Sequence, residues 1–257
     1  MTLHNNTNIQ VGEDYQVMHI IFGKIKKSAF RTSALAVILL AASLSVKAQI
    51  GDYRNNLAVG VNGGVNFSSV SFSPSIKQTN LQAIHGGVTA RYICEKYFAM
   101  ICGVQVELNY SQRGWKEKIE DGTGNTYQRT LNYLEIPFLA HIAFGRERGV
   151  RFFLNAGPQM NFFLGDKEEK GGGEWDTSFR PNGVVYQYGK AVENKFDYGI
   201  TGGLGLEVRT GAGNFLIEGR YYYGLSDIYG NSKKDEFSRS GNSTICGKIT
   251  YLFDLSK

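Results

Sequence analysis

The chain has 257 residues, 28 basic and 23 acidic side chains and a formal net charge of +5, a length that fits one domain behind a leader. Three cysteines without metal-ligand spacing give no metal site and no cofactor signature, and their odd number leaves at least one thiol free. Much of the basic excess sits in the first 48 residues, so no basic stripe remains to support nucleic-acid binding.

Residues 1–17 carry no apolar periodicity and precede Met18, an alternative start. Lys24, Lys26, Lys27 and Arg31 then form a basic region ahead of the apolar run 34–46, and Val46-Lys47-Ala48 offers small residues to a signal peptidase. The pattern predicts a Sec-type leader cut before Gln49, dividing the chain into 1–48, an extension with a cleaved signal peptide, and 49–257, the mature domain. The apolar run is shorter than the roughly 20 residues of a spanning helix, and no cysteine follows the cut to carry a lipid. The leader takes five basic and two acidic residues with it, so the mature part holds 23 against 21 and is close to neutral.

Eight segments of strict alternation follow, each with apolar residues on one parity and polar or small residues on the other, the signature of strands. They are 57–67, 81–94, 97–113, 127–144, 150–162, 196–209, 214–223 and 243–255. In the third, Phe98, Met100, Cys102, Val104, Val106, Leu108 and Tyr110 alternate with Gly103, Gln105, Glu107, Asn109 and Arg113. In the fourth, Leu134, Ile136, Phe138, Ala140, Ile142 and Phe144 alternate with Tyr133, Glu135, Pro137 and His141. Several exceed the about 9 to 11 residues of a tilted membrane-crossing strand.

The connections alternate in length. Those after the second, fourth and sixth segments are tight (Glu95-Lys96, 145–149, 210–213), and those after the odd segments are long (68–80, 114–126, 163–195, 224–242). Short periplasmic turns and long outer loops are the rule for outer-membrane barrels. On the apolar parity, Tyr92, Phe98, Phe144, Phe152, Phe215 and Phe253 fall near the short-turn end, and Phe67, Tyr110, Phe162, Tyr198 and Tyr223 near the loop end, as two interfacial girdles. The fold predicted is all-β, an eight-stranded antiparallel up-and-down transmembrane β-barrel, with outer-membrane lipid around its apolar face.

By the same parity the interior receives Arg91, Glu107, Arg113, Glu135, His141, Arg151, Glu207, Arg209, Glu218 and Arg220, with His85, Asp197 and Lys248 beside them. An eight-stranded barrel is only wide enough for its side chains, and buried charges are tolerated when paired. A structural ionic network filling the lumen is therefore expected; a proton or ion path is the functional alternative. A lipid-modifying enzyme would need Ser, His and a carboxylate together, and only His85 with Ser68, Ser69 or Ser111 offers a start. In the loop 163–195, Trp175, Phe179, Tyr186 and Tyr188 follow a charged, glycine-rich stretch and are read as a contact surface, with a disordered shield as the alternative.

At Asn132-Tyr133-Leu134-Glu135-Ile136-Pro137, followed by Asn155-Ala156-Gly157-Pro158, the chain resembles the outer-membrane β-barrel family of Bacteroidetes that includes PorT-like proteins. The resemblance implies an outer-membrane location in a Gram-negative bacterium; the link of PorT-like members to gliding and secretion is not carried by these two motifs. The C-terminal Phe253-Asp254-Leu255-Ser256-Lys257 departs from the usual terminal aromatic, with Phe253 a few positions inside. The function expected is non-enzymatic, through the loops or within an envelope or secretion assembly, with a narrow channel and a lipid-modifying enzyme as rivals.

Overall fold

The computed structural model describes residues 52–145, 149–178, 180 and 183–255. The leader with its cut before Gln49, and Phe179, lie outside the described residues. Eight long strands form the wall: β1 Asp52–Ser73, β3 Leu81–Tyr97, β4 Met100–Glu117, β5 Thr126–Gly145, β6 Gly149–Gly171, β7 Phe196–Thr210, β8 Gly213–Asp227 and β9 Arg239–Asp254. The two-residue β2, Gln78–Thr79, pairs only with the end of β4. Each long strand runs antiparallel to its neighbours, and β9 pairs with β1, so the ring is closed. Closure leaves no sheet edge around the belt, which is what lets a β-structure sit in hydrocarbon.

The stagger of the ring can be read off the ladders. Partners run from Leu57 to Tyr92, Val104, Ala140, Ala156, Gly202, Tyr221 and Ile245, and then return to β1 at Phe67, ten residues above the start. Ten residues of rise distributed over eight strand spacings tilt the strands by about 41° and give a Cα radius of about 8 Å. Side chains from opposite walls therefore meet at the axis.

The apolar parity lies outside. Val61, Val88, Val104, Leu154, Leu204, Ile217 and Ile249 are exposed, while Asn62, Gln105, Glu107, Asn155, Glu207, Glu218 and Lys248 on the other parity are buried. Rings bound this apolar band at both ends. Phe144 faces Phe152 across β5 and β6, and Phe215 faces Tyr251 across β8 and β9, near the short turns; Phe162 faces Phe196 near the loops. From Phe215 to Tyr223 the band is about 20 Å tall at this tilt, close to the apolar height of outer-membrane barrels.

Several boundaries differ from the sequence reading. The first tight turn falls at Phe98-Ala99, not at Glu95-Lys96, because a bulge between Ile93 and Glu95 lets β3 run on to Tyr97. Phe98 then takes the left-handed turn position with φ 51°, which an alternation reading assigned to a strand. On the loop side, β1, β4 and β6 outrun their expected ends, and β6 continues through 163–171, the stretch assigned to a loop. There Asp166 and Glu168 point inward to Arg129 while Lys167 and Glu169 pair with each other outside. Both faces are charged, so hydrophobic alternation cannot reveal the strand.

Candidate functional site

Inside the ring the side chains form three zones along the axis. At the short-turn end, Ala58, Ile101, Ala143, Phe153, Leu216 and Leu252 make an apolar plug. At the loop end a second apolar cluster contains Val70, Phe72, Trp115, Tyr127, Leu131, Tyr133, Val184, Val192, Ile228, Tyr229 and Phe237. The strand residues of both occupy the inward parity, where the sequence reading expected polar groups, and the loop-end cluster adds Val184, Val192, Ile228, Tyr229 and Phe237 from the connections. Between them lies the ionic zone.

That zone is built from long side chains that cross the lumen. Arg91 of β3 donates two hydrogen bonds, of 3.0 and 2.9 Å, to Glu207 of β7. Arg220 of β8 donates a second such pair to Glu107 of β4 and also reaches Glu218 at 2.9 Å. Lys248 of β9 joins Glu107 and lies 3.7 Å from Glu218. Nearer the loops, Arg113 is ion-paired with Glu135 and sits 3.8 Å from Asp197. Two carboxylates facing two cations around Glu107 satisfy the requirement that buried charge be compensated. Neutral donors complete the shell: Gln105 and Asn109 give hydrogen bonds to Glu107, and Gln159 gives one to Glu135. His141 Nδ1 lies 2.7 Å from the Asn155 carbonyl oxygen, whose amide donates to Glu218.

Of the ten ionisable residues placed in the lumen by parity, nine are buried. Arg209 is the tenth: it is half-buried at the short-turn rim, bonded to Asp254 at 2.8 Å, apart from the central network. Arg151 is buried near the same end. Glycine makes room for the crossings. A Cβ on Gly203 would stand 2.6 Å from Glu218 Oε1, and one on Gly64 would stand 2.8 Å from the His85 ring.

A chamber of about 20 Å³ remains among His85, Arg113, Glu135, Tyr222, Cys246 and Lys248, space for a water molecule. The His85 ring lies 3.6 Å from Cys246 Sγ. Of the serines offered as its partners, Ser111, its neighbour across β3 and β4, accepts at Oγ from Asn66, and Ser68 Oγ bonds both backbone groups of Gly114. Cys94, Cys102 and Cys246 are free thiols. Among the described residues no group of three His, Cys, Asp or Glu side chains could hold a metal ion.

The loop-end plug is an aromatic cork. Phe72 packs edge-on against Trp115 with ring centres 5.1 Å apart and also contacts Phe237 at 5.1 Å. Trp175 and Tyr188, read from sequence as contact-surface residues, turn inward and pack on Tyr127 at 6.2 and 4.8 Å, whereas Tyr186 stays exposed. Arg129 sits within the cork, donating to Asp166 and to the Tyr229 hydroxyl. At its margin Glu117 accepts hydrogen bonds from Tyr188 and Gln187. Burial nevertheless pushes the Glu117 carboxyl above its ordinary value.

A closed ring of eight tilted strands, apolar outside between aromatic belts and ionic within, defines a transmembrane β-barrel of the outer membrane. A family model described as "Outer membrane protein beta-barrel domain" matches residues 47–230, and the chain belongs to that family, which places it in the outer membrane of a Gram-negative bacterium. Similar solved structures include Neisserial surface protein A, with 13% identity over 77% of this chain and 97% of that one (TM-score 0.40), and OprG of Pseudomonas aeruginosa, with 11% identity over 79% and 98% (TM-score 0.43). The attachment invasion locus protein of Yersinia pestis is similar at 12% identity over 78% and 100% (TM-score 0.33). No curated protein matches the sequence. Likeness at this level says nothing of what this chain binds.

Proposed function

We propose that the mature chain is a non-enzymatic outer-membrane protein with a closed lumen, which presents its corked outer end to the surroundings and acts as a structural element or as a subunit of an envelope or secretion assembly. The observation that carries this reading is the double closure of the lumen. Apolar plugs of Phe153, Leu216 and Leu252 at one end and Trp115, Tyr229 and Phe237 at the other enclose a paired ionic zone. A narrow solute path would need continuous polar space, and the chamber holds about one water molecule. A lipid-modifying site would need His85 to meet a free serine near the lipid face, whereas His85 lies against Cys246 inside the barrel.

The leader at residues 1–48 exports the chain, and the short turns lie in the periplasm with the long loops outside, by the general rule for such barrels. The Tyr-Leu-Glu-Ile-Pro strand and the following Ala-Gly-Pro support kinship with PorT-like barrels of Bacteroidetes. Conductance across planar bilayers tests the closed lumen: the purified protein leaves the current at background, and stable unitary steps would refute the reading.

A further inference from the structure

Among the arginines with described side chains, Arg91, Arg113, Arg129, Arg151, Arg180 and Arg220 are buried and Arg209 is half-buried; Arg239 alone is exposed. It stands at the start of β9 on the outward parity, which continues through Gly241 and Ser243 to the lipid-facing Ile245 and Ile249. Its guanidinium lies over the Tyr223 ring, 5.6 Å from the centroid, and donates to the Tyr223 hydroxyl. Tyr223 belongs to the loop-end aromatic belt, so this contact ties the exposed guanidinium to that belt.

The Asp227 carboxylate acts on Arg239 at a distance and without a direct ion pair. Arg239 forms no ion pair among the described residues, and the nearby Asp227 carboxylate already accepts from the Ser240 backbone and from Asn231. Next door on β1, Ser73 is the direct partner of Arg239 and Ser71 is the partner of Gly241. Both serines are exposed on the outward face. Gly241, between Arg239 and Ser243, is buried and lies under the guanidinium, a Cβ there falling 3.7 Å from Arg239 Nε, ordinary contact distance. A planar cation fixed on an aromatic ring with two exposed hydroxyls in the adjacent row matches the demands of a phosphate at headgroup depth.

We infer that Arg239, with Ser71 and Ser73, binds the phosphate of a membrane-lipid headgroup beside the barrel. That the lipid belongs to the outer leaflet rests on the orientation proposed above; the phosphate chemistry does not.

The test uses the full-length chain purified from outer membranes, with native mass spectrometry from mild detergent and four probes: diphosphoryl lipid A, its dephosphorylated form, phosphatidylglycerol and inorganic phosphate. Wild type retains diphosphoryl lipid A roughly tenfold more tightly than Arg239→Ala, the scale of one charge-assisted hydrogen-bonded pair. Arg239→Lys falls between them, and the dephosphorylated lipid shows no difference among the three. Equal retention by wild type and Arg239→Ala overturns the site, as does retention that survives dephosphorylation. If inorganic phosphate alone displaces the lipid at equal concentration, the site is one for soluble anions and the lipid assignment fails. An Arg239-dependent preference for phosphatidylglycerol upholds the phosphate chemistry and assigns the headgroup to a glycerophospholipid. Should Arg239→Ala not fold, as judged by heat-dependent gel mobility, Arg239→Gln takes its place. None of these readouts depends on conductance, so failure here is distinct from failure of the closed-lumen reading.

Discussion

Glu107 and Arg220 lie 113 residues apart in sequence and face each other across the lumen through two hydrogen bonds of 3.0 and 2.9 Å. Removing the Glu107 charge leaves Arg220 and Lys248 to share Glu218 in a buried interior. Glu107→Gln is expected to destabilise the barrel by about 3–5 kcal/mol, read as a shift in urea unfolding in lipid vesicles. Replacing both residues with leucine leaves Lys248 with Glu218 and recovers most of that loss. A single variant within about 0.5 kcal/mol of wild type would show that the network is hydrated and contributes little.

Gly205 sits on the inward parity of β7, where an added Cβ would stand 2.2 Å from the Ile217 carbonyl oxygen and 2.6 Å from the Phe153 ring. Gly205→Ala is expected to cost about 1–3 kcal/mol by overpacking the short-turn plug. Combining it with Phe153→Leu should relieve part of the ring clash. Additive losses in the pair would mean that the backbone contact alone sets the cost.

The sequence made the wall legible and hid what fills its ends. Alternation placed all eight strands because an exterior in lipid imposes apolar residues at every second position, and the same rule put Glu107, Glu218 and Arg220 inside. It passed over Trp115, Tyr127 and Leu131, apolar exceptions on the inward parity that they share with Arg113 and Arg129. The cork also draws on Ile228, Tyr229 and Phe237, which lie in a connection without periodicity. Their inward packing depends on the long connections folding back over the lumen, a tertiary event that no local pattern encodes. Loop aromatics such as Trp175 therefore resemble a contact surface until their packing partners are known.

Phe237 is fully buried and touches Phe72, Tyr229 and Tyr186. Phe237→Ala removes a ring from the centre of the cork and is expected to cost about 3–5 kcal/mol of local packing. Amide exchange in residues 228–238 should quicken by more than tenfold while β4 to β7 stay protected. Uniform loss of protection through the whole barrel would contradict a cork that opens independently of the wall.

Glu117 gives the cork a pH dependence. Its carboxyl is raised from the ordinary 4.5 chiefly by burial, so the folded cork favours the protonated form. That contribution is present below the unfolded value near 4.5 and is lost as pH rises through the folded value. Asp121, held low by its hydrogen bond from Thr123 and by Arg180, acts in the opposite sense, below its ordinary 3.8. Between pH 4.5 and 7, exchange in residues 184–188, corrected for intrinsic rates, should quicken in wild type and stay level in Glu117→Gln. The same slope in both proteins would remove Glu117 from the account.

The ring closes where β9 meets β1, and β9 carries Thr244, Cys246 and Lys248 on its inward face. Glu107 on β4 is served by Arg220 from β8 and by Lys248 from β9. A chain added strand by strand therefore reaches its penultimate stage with two carboxylates, Glu107 and Glu218, gathered around one guanidinium. The strand that seals the wall delivers the missing positive charge, so that shutting the seam and balancing the interior are a single assembly step, and a sheet still open at β1 keeps an excess negative charge until β9 arrives.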